Sequence, residues 1–380
     1  MDRREFILGS TAAAAIATSS PDALALRCKR PGGVGDGSGK YLVLACDGGG
    51  MRGYLSSLIL QALSQDIDVF GTNNSNIDLY AGTSTGGLIA LALAYGKSID
   101  DVVDLYRNSG AQIFTPLKTQ AICALSLSQT LKNATASFAG LWQTLFNNTG
   151  STSVRSVVED FIPGNPALDS LPNKVLVTTF QLAAQLENGT SWNPLVIDNL
   201  SGGNGSSTQL YDAALSTSAA PVYFPPYSHP KFGWCSDGGL FANNPAPQAV
   251  ARLIESGVPI ANISLLSVGT GITNASISVS RITRLCYGLK KWAWIEQNGP
   301  TPPMAILNSI MDGVSATNDY LCSQLLGSRY LRINPVLPKS VALDDYSPAT
   351  MQMFEDTAND FAHSSAWAQV HDWVETNFHK

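Results

Sequence analysis

Asp47-Gly48-Gly49-Gly50-Met51-Arg52-Gly53 follows the uncharged run Tyr41-Leu42-Val43-Leu44-Ala45-Cys46, and Gly82-Thr83-Ser84-Thr85-Gly86 comes after it. Six apolar residues bounded by glycines have the length and composition of a buried strand. The chain restarts over residues 54–63 with Leu55, Leu58, Ile59 and Leu63 at helical spacing. This reads as strand, glycine turn, helix. The pattern repeats, with a strand over 77–81 running into Gly82-Thr83-Ser84 and an apolar helix over 88–95 beginning just after Gly86-Gly87. Further strands are expected over 174–180, over 263–268 and, at an edge with its proline near the start, over 193–197. Alternation of this kind predicts an α/β fold, a central and mostly parallel sheet flanked by helices.

The first turn is suited to an anion. A helix N-terminus carries unpaired N–H groups and the positive end of the helix dipole, and glycine lets the backbone approach a ligand closely. Arg52 would add a fixed positive charge near a phosphate or carboxylate. Gly48-x-Gly50-x-x-Gly53 also matches a dinucleotide-binding turn, which wants an acidic residue closing the next strand. That strand, read over 76–80, closes on none. Nucleotide binding therefore lacks its second determinant.

Gly82-x-Ser84-x-Gly86, between a strand and a helix, has the context of a nucleophile elbow, with glycines two residues either side to relieve crowding. The bland alternative makes Ser84 a helix cap. A third segment, Ser236-Asp237-Gly238-Gly239, follows Pro221-Val222-Tyr223-Phe224-Pro225-Pro226-Tyr227. By itself it is a turn.

These three motifs, in this order, resemble the patatin-like phospholipases, over about residues 41–335. Flanking stretches strengthen the likeness: Ala214 to Phe224, Asn243-Asn244-Pro245, Ser267-Val268-Gly269-Thr270-Gly271 and Tyr330-Leu331-Arg332-Ile333-Asn334-Pro335. The resemblance implies a three-layer α/β/α catalytic domain over 41–335, with a helical extension over 336–380. It further implies Ser84 as nucleophile, Asp237 as base and Gly238-Gly239 completing the aspartate motif. The oxyanion hole would come from Gly48, Gly49, Gly50, Met51, Arg52 and Gly53, with the Gly49 and Gly50 amides foremost. The implied reaction is metal- and cofactor-free hydrolysis of lipid acyl esters. A carboxylate with an ordinary pKa near ~3.9 is a weak base toward a hydroxyl. It can serve if it touches the serine in a site poor in water, where burial raises its pKa.

Two alternatives stay open. The chain has four histidines, and the order Ser84, Asp237, then His363 or His371 satisfies an α/β-hydrolase triad. Both lie in a segment, 351–373, read as one charged helix, and His229 is read as a solvated loop residue. Alternatively, the protein is a silent lipid-binding or storage protein of the same fold.

At 380 residues, with 44% hydrophobic and 14% charged residues, the chain is a well-buried globular protein. A net charge of −6 argues against a nucleic-acid partner. Arg3-Arg4 before a mildly apolar stretch and Ala23-Leu24-Ala25 resembles a twin-arginine export signal over 1–25, leading into a flexible linker over 26–40. The destination would be the periplasm or beyond, with the cytoplasm as the alternative if the segment is only an Ala/Ser-rich tail. Six dispersed cysteines offer no metal spacing, and Cys46 and Cys235 read as packed thiols. Residues 113–150 read as amphipathic helices over the site, and 280–326 as mostly helical and aromatic. Leu289, Trp292, Trp294 and Ile295 read either as the core of a packed helix or as a patch for peripheral membrane contact.

Overall fold

The computed structural model describes residues 39–113, 151–187, 189–221, 223–273 and 305–378. The export signal, nearly all of the linker and of the 113–150 stretch, and the patch at Leu289 to Ile295 lie outside the described residues, as do Cys28, Cys123 and Cys286.

Strand β1 (Tyr41–Cys46) is buried because its two faces serve two cores. Side chains alternate along a strand. Leu42, Leu44 and Cys46 join a large core with helices α1 (Gly53–Asp66), α2 (Thr85–Tyr95), α3 (Ile99–Ile113), α4 (Ser151–Phe161) and α5 (Leu210–Thr217). Val43 and Ala45 face a second core built on α7 (Ala246–Glu255) and α8 (Ala305–Leu326). The short α6 (Gly239–Ala242) precedes α7. A strand covered by helices on both sides reads as a continuous apolar run, as the sequence suggests. Two last helices, α9 (Pro348–Ala362) and α10 (Ser365–Asn377), close over the first core through Phe354, Ala358, Trp367 and Val374.

The other strands are β2 (Leu79–Thr83), β3 (Val175–Leu186), β4 (Gly189–Asp198), β5 (Tyr227–His229), β6 (Gly233–Asp237), β7 (Ile263–Val268) and β8 (Tyr330–Ile333). They form one mixed sheet in the order β5-β6-β3-β2-β1-β7-β8, with β4 paired to β3. The strands from β3 through β2, β1 and β7 to β8 are all parallel. β4, β6 and β5 add an antiparallel flank. From β1 the chain goes one way to β2 and β3, then returns to β7 on the other side. The carboxyl ends of β1 and its neighbours therefore border a topological switch point, where open α/β sheets place ligands.

Three local expectations are corrected. β2 continues through Gly82-Thr83, and α2 begins at Thr85, so Gly86 and Gly87 lie inside its first turn. A Cβ on Gly86 would come 2.2 Å from the Cys46 carbonyl oxygen, and one on Gly87 2.7 Å from Thr217. Gly86 permits contact with strand β1 and Gly87 with helix α5; neither breaks the helix. Residues 227–237, read as a loop, form two short strands. The single C-terminal helix is two helices, parted at His363-Ser364. β3 is also longer than expected, and it pairs with β4, which is the edge strand anticipated but starts at Gly189, so that Pro194 lies within it rather than at its start.

Candidate active site

Strand β3 brings the two key motifs together. Its residues 175–178 pair with β2, ending at Thr83↔Thr178. Its next three pair with β6 in the opposite sense, beginning at Thr179↔Asp237. Over both stretches the other edge of β3 is occupied by β4. β2 and β6 must therefore lie along the same edge of β3, pointing at each other. One ends immediately before Ser84 and the other ends on Asp237. Consecutive residues, Thr178 and Thr179, set their spacing.

Ser84 sits at the sharpest point of the strand-to-helix turn. Its φ of 54° and ψ of −123° are outside the regions favoured by side-chain-bearing residues, a conformation that costs about 1–3 kcal/mol. The fold holds it there with a hydrogen bond from its N–H to Thr217 Oγ1 at 2.9 Å. Gly82 is required because a Cβ there would lie 2.1 Å from the Gly86 carbonyl oxygen. The buried Ser84 side chain shares a pocket with the Asp237 carboxyl and lies close enough to lower its pKa.

Asp237 is buried, and among the described residues no cation pairs with it. Its Oδ1 accepts the Gly239 N–H at 2.7 Å. Burial pushes its carboxyl up to about 6, against the lowering effect of Ser84 and the Gly239 amide. Gly238 lets the chain pass close to β3, since a Cβ there would meet Thr178 Oγ1 at 2.0 Å. A carboxylate in this setting can take a proton from a touching hydroxyl near neutral pH.

In the Gly48–Gly53 turn the N–H groups divide into two sets. Those of Gly48, Met51 and Arg52 donate to Asn243 O, Leu343 O and Gly49 O, and that of Gly53 to Gly50 O and Met51 O. Those of Gly49 and Gly50 have no acceptor among the described residues, and Gly50 borders the pocket at Ser84. Gly50 holds φ at 59°, where glycine is favoured. A Cβ on Gly53 would run into Thr85 Oγ1. Arg52 is buried beside a separate polar cavity with Asp312 and Arg332, and its Nε donates to Gly49 O at 3.4 Å. It does not line the pocket at Ser84.

The turn is held from outside by residues to which the sequence reading assigned no role. Arg332 donates to both carboxylate oxygens of Asp47, at 2.7 and 2.5 Å. The Gly48 carbonyl accepts from Asn243 Nδ2 at 3.3 Å and Thr270 Oγ1 at 3.1 Å. Each lies in one of the flanking stretches noted above. Their motif character was the only signal, because their partners are about 200 to 290 positions away in the chain.

The pocket over Ser84 and Asp237 is apolar, bordered by Leu88, Tyr223, Phe224, Leu240, Met311 and Leu343. No histidine lines it among the described residues. His363 and His371 sit at the end of α9 and in α10, where His371 faces Glu375 at 3.7 Å. His229 is buried in β5, a correction to the solvated loop residue expected. Its Nδ1 accepts the Lys231 and Phe232 N–H groups, and burial pushes its pKa down. Cys46 and Cys235 are buried free thiols. The described residues contain no cluster able to hold a metal ion.

Residues 44–250 match the family model described as patatin-like phospholipase. The chain belongs to this family, and so to the carboxylic ester hydrolases. It is 26% identical to Protein teg of Priestia megaterium, over 79% of this chain and 89% of that protein. It is likewise 26% identical to a cGAMP-activated phospholipase of Escherichia coli, over 82% of this chain and 85% of that one. Among solved structures, VipD from Legionella pneumophila aligns with a TM-score of 0.36 and 13% identity, covering 85% of this chain; this chain spans 66% of VipD.

The Asp47–Arg332 pair gives the first prediction. Arg332→Ala leaves a buried carboxylate without its partner and should cost about 3–5 kcal/mol in urea denaturation. Arg332→Lys keeps the charge but loses the two-pronged contact. It should retain most of the stability yet lower ester turnover by about tenfold.

Proposed function

We propose that this protein hydrolyses the acyl esters of phospholipids and related lipids through an acyl-enzyme on Ser84, with Asp237 as the base. The observation that carries the proposal is the end-to-end meeting of β2 and β6 on one edge of β3, which brings Ser84 to a buried carboxyl that has no cationic partner among the described residues.

In the forward step Ser84 Oγ attacks the ester carbonyl carbon while its proton passes to Asp237. The negative charge that builds on the carbonyl oxygen falls to the unpaired N–H groups of Gly49 and Gly50. Losing one such donor typically costs about 2.7–4 kcal/mol in the transition state. The bond to the lipid alcohol then breaks, and that alcohol leaves with the proton from Asp237. Water subsequently attacks the acyl-Ser84 ester and gives a proton to Asp237. As the C–Oγ bond breaks, that proton returns to Ser84, releasing a fatty acid. The apolar border of the pocket suits an acyl chain and excludes water, which sustains the raised pKa of the base. A silent lipid-binding protein has no use for a serine held at positive φ against a buried carboxyl.

The substrate also suggests where the protein meets a lipid surface. β3 runs on past Thr179 and turns back as β4, beyond the carboxyl end of the parallel strands. Trp192 in β4 and Trp234 in β6 lie on this projection, 72% and 55% exposed. Cys235 and Asn193 both pair with Gln181, so the two tryptophans flank the next position of β3. Phe180 packs on Phe241, whose neighbour Leu240 borders the pocket. Exposed tryptophan is favoured where water meets lipid headgroups.

Ser84→Ala and Asp237→Asn should each lower hydrolysis of a p-nitrophenyl ester on the order of 10⁴-fold with the fold intact by circular dichroism. In the wild type, kcat/KM should rise as pH passes through about 6, where Asp237 ionises. The folded pKa lies above the unfolded one. The stability this group contributes is therefore complete below about pH 4 and is lost as pH rises through about 6. Asp237→Asn should melt higher than wild type at pH 8, and the difference should vanish at pH 4. Replacing Trp192 and Trp234 with serine together should weaken sedimentation with phosphatidylcholine vesicles about tenfold, with turnover of a water-soluble ester unchanged.

A further inference from the structure

The polar cavity beside the glycine turn has a volume of about 440 Å³, within the span of about 300–1,000 Å³ usual for small-molecule sites. It shares no bordering residue with the pocket at Ser84. Four charged side chains besides Asp47 border it: Arg52, Arg332, Asp312 and Asp319. Two of them already have partners. Arg332 holds both oxygens of Asp47 and donates to Ser267 Oγ at 2.7 Å, and Asp319 Oδ1 accepts the Tyr330 hydroxyl at 2.8 Å.

Arg52 and Asp312 are the exceptions. Arg52 is only 5% exposed, and its Nε donates to the Gly49 carbonyl at 3.4 Å. Its two terminal nitrogens have neither an acceptor nor an ion-pair partner among the described residues, and neither is sealed from solvent. A buried charge is costly unless it is paired, and the cavity is where a partner can reach it. Asp312 stands at the rim on α8 and makes no hydrogen bond or ion pair among the described residues. The two groups are near enough for each to favour the charged form of the other, yet they do not close into a pair. Asp319 follows Asp312 by about two helical turns and therefore lies on the same face of α8.

This arrangement selects a ligand by charge. A simple anion set on Arg52 would be opposed by Asp312 and Asp319. A simple cation set against Asp312 would be opposed by Arg52 and Arg332. A molecule that carries both charges suits both groups. We propose that this cavity binds a small zwitterion, with its carboxylate or phosphate on the terminal nitrogens of Arg52 and its ammonium against Asp312 and Asp319. A guanidinium can take either anionic group with two parallel hydrogen bonds. The site is independent of the acyl-Ser84 chemistry.

Arg52 also supports Gly49, so the test turns on Asp312, which makes no contact with the glycine turn. Isothermal titration of the whole chain compares two zwitterions, phosphoethanolamine and γ-aminobutyrate, with ethyl phosphate and ethylamine, which carry one charge each. At least one zwitterion should bind about tenfold or more tightly than either single-charge compound. Asp312→Asn should weaken that zwitterion about tenfold and tighten ethyl phosphate, because the same carboxylate attracts the ammonium and repels the anion. Asp319→Asn, which keeps an acceptor for Tyr330, should act in the same directions and serves if Asp312→Asn does not fold. Preference for phosphoethanolamine marks a lipid headgroup fragment as the ligand and preference for γ-aminobutyrate a free amino acid; both uphold the inference. Ethyl phosphate binding as tightly as the zwitterions makes this an anion site and overturns it. No zwitterion binding up to about 10 mM, or binding unchanged in Asp312→Asn, overturns it too. Ser84→Ala should bind the zwitterion as the wild type does, so failure of the acyl-serine reading and failure of this site are told apart.

Discussion

Everything at the site depends on one edge of β3, where two strands of opposite direction meet end to end. A parallel strand delivers Ser84 and an antiparallel one delivers Asp237, and adjacent threonines of β3 set the distance between them. The threonines also bind the junction laterally. Thr83 and Thr178 share a hydroxyl contact of 2.7 Å, and Thr179 donates to the carbonyls of Ser216 or Ser236. Backbone pairing defines positions far more rigidly than a loop does, and an acid–base pair works only within such tolerances.

Two buried aspartates stand within this small region, and burial pushes the carboxyl of each upward. Asp47 meets the two-pronged guanidinium of Arg332, which opposes the upward push of burial on its carboxyl. It acts as a fixed strut under the glycine turn. Asp237 has a serine and a backbone amide but, among the described residues, no cation, and burial lifts its pKa to about 6. Residue type is the same in both. The neighbour decides whether the carboxylate is structural or reactive.

Much of the arrangement was legible in the chain. The run 41–46 reads as a strand buried on both faces, and its alternating residues do enter two different cores. The strained turn at Ser84 was foreshadowed by Gly82 and Gly86. What pattern reading lacked was any way to tell a glycine that ends an element from one that allows contact, as at Gly86 and Gly87 inside α2. Short strands interrupted by prolines and aromatics, such as β5 and β6, carry too few residues for periodicity to register. The same blindness made His229 a surface residue, although it is buried against Phe232.

The local sequence determined the identities of the proposed reacting groups, the glycines that a tight turn demands and the alternating strand and helix of an α/β sheet. These follow from side-chain chemistry, backbone freedom and short-range periodicity. Tertiary structure alone decided that Asp237 shares a pocket with Ser84, that Arg332 braces Asp47, and that Asn243 holds the Gly48 carbonyl. Each depends on strands and helices packing from distant parts of the chain. A carboxyl's pKa or an amide's partner is a property of its surroundings, and no run of neighbouring residues encodes it.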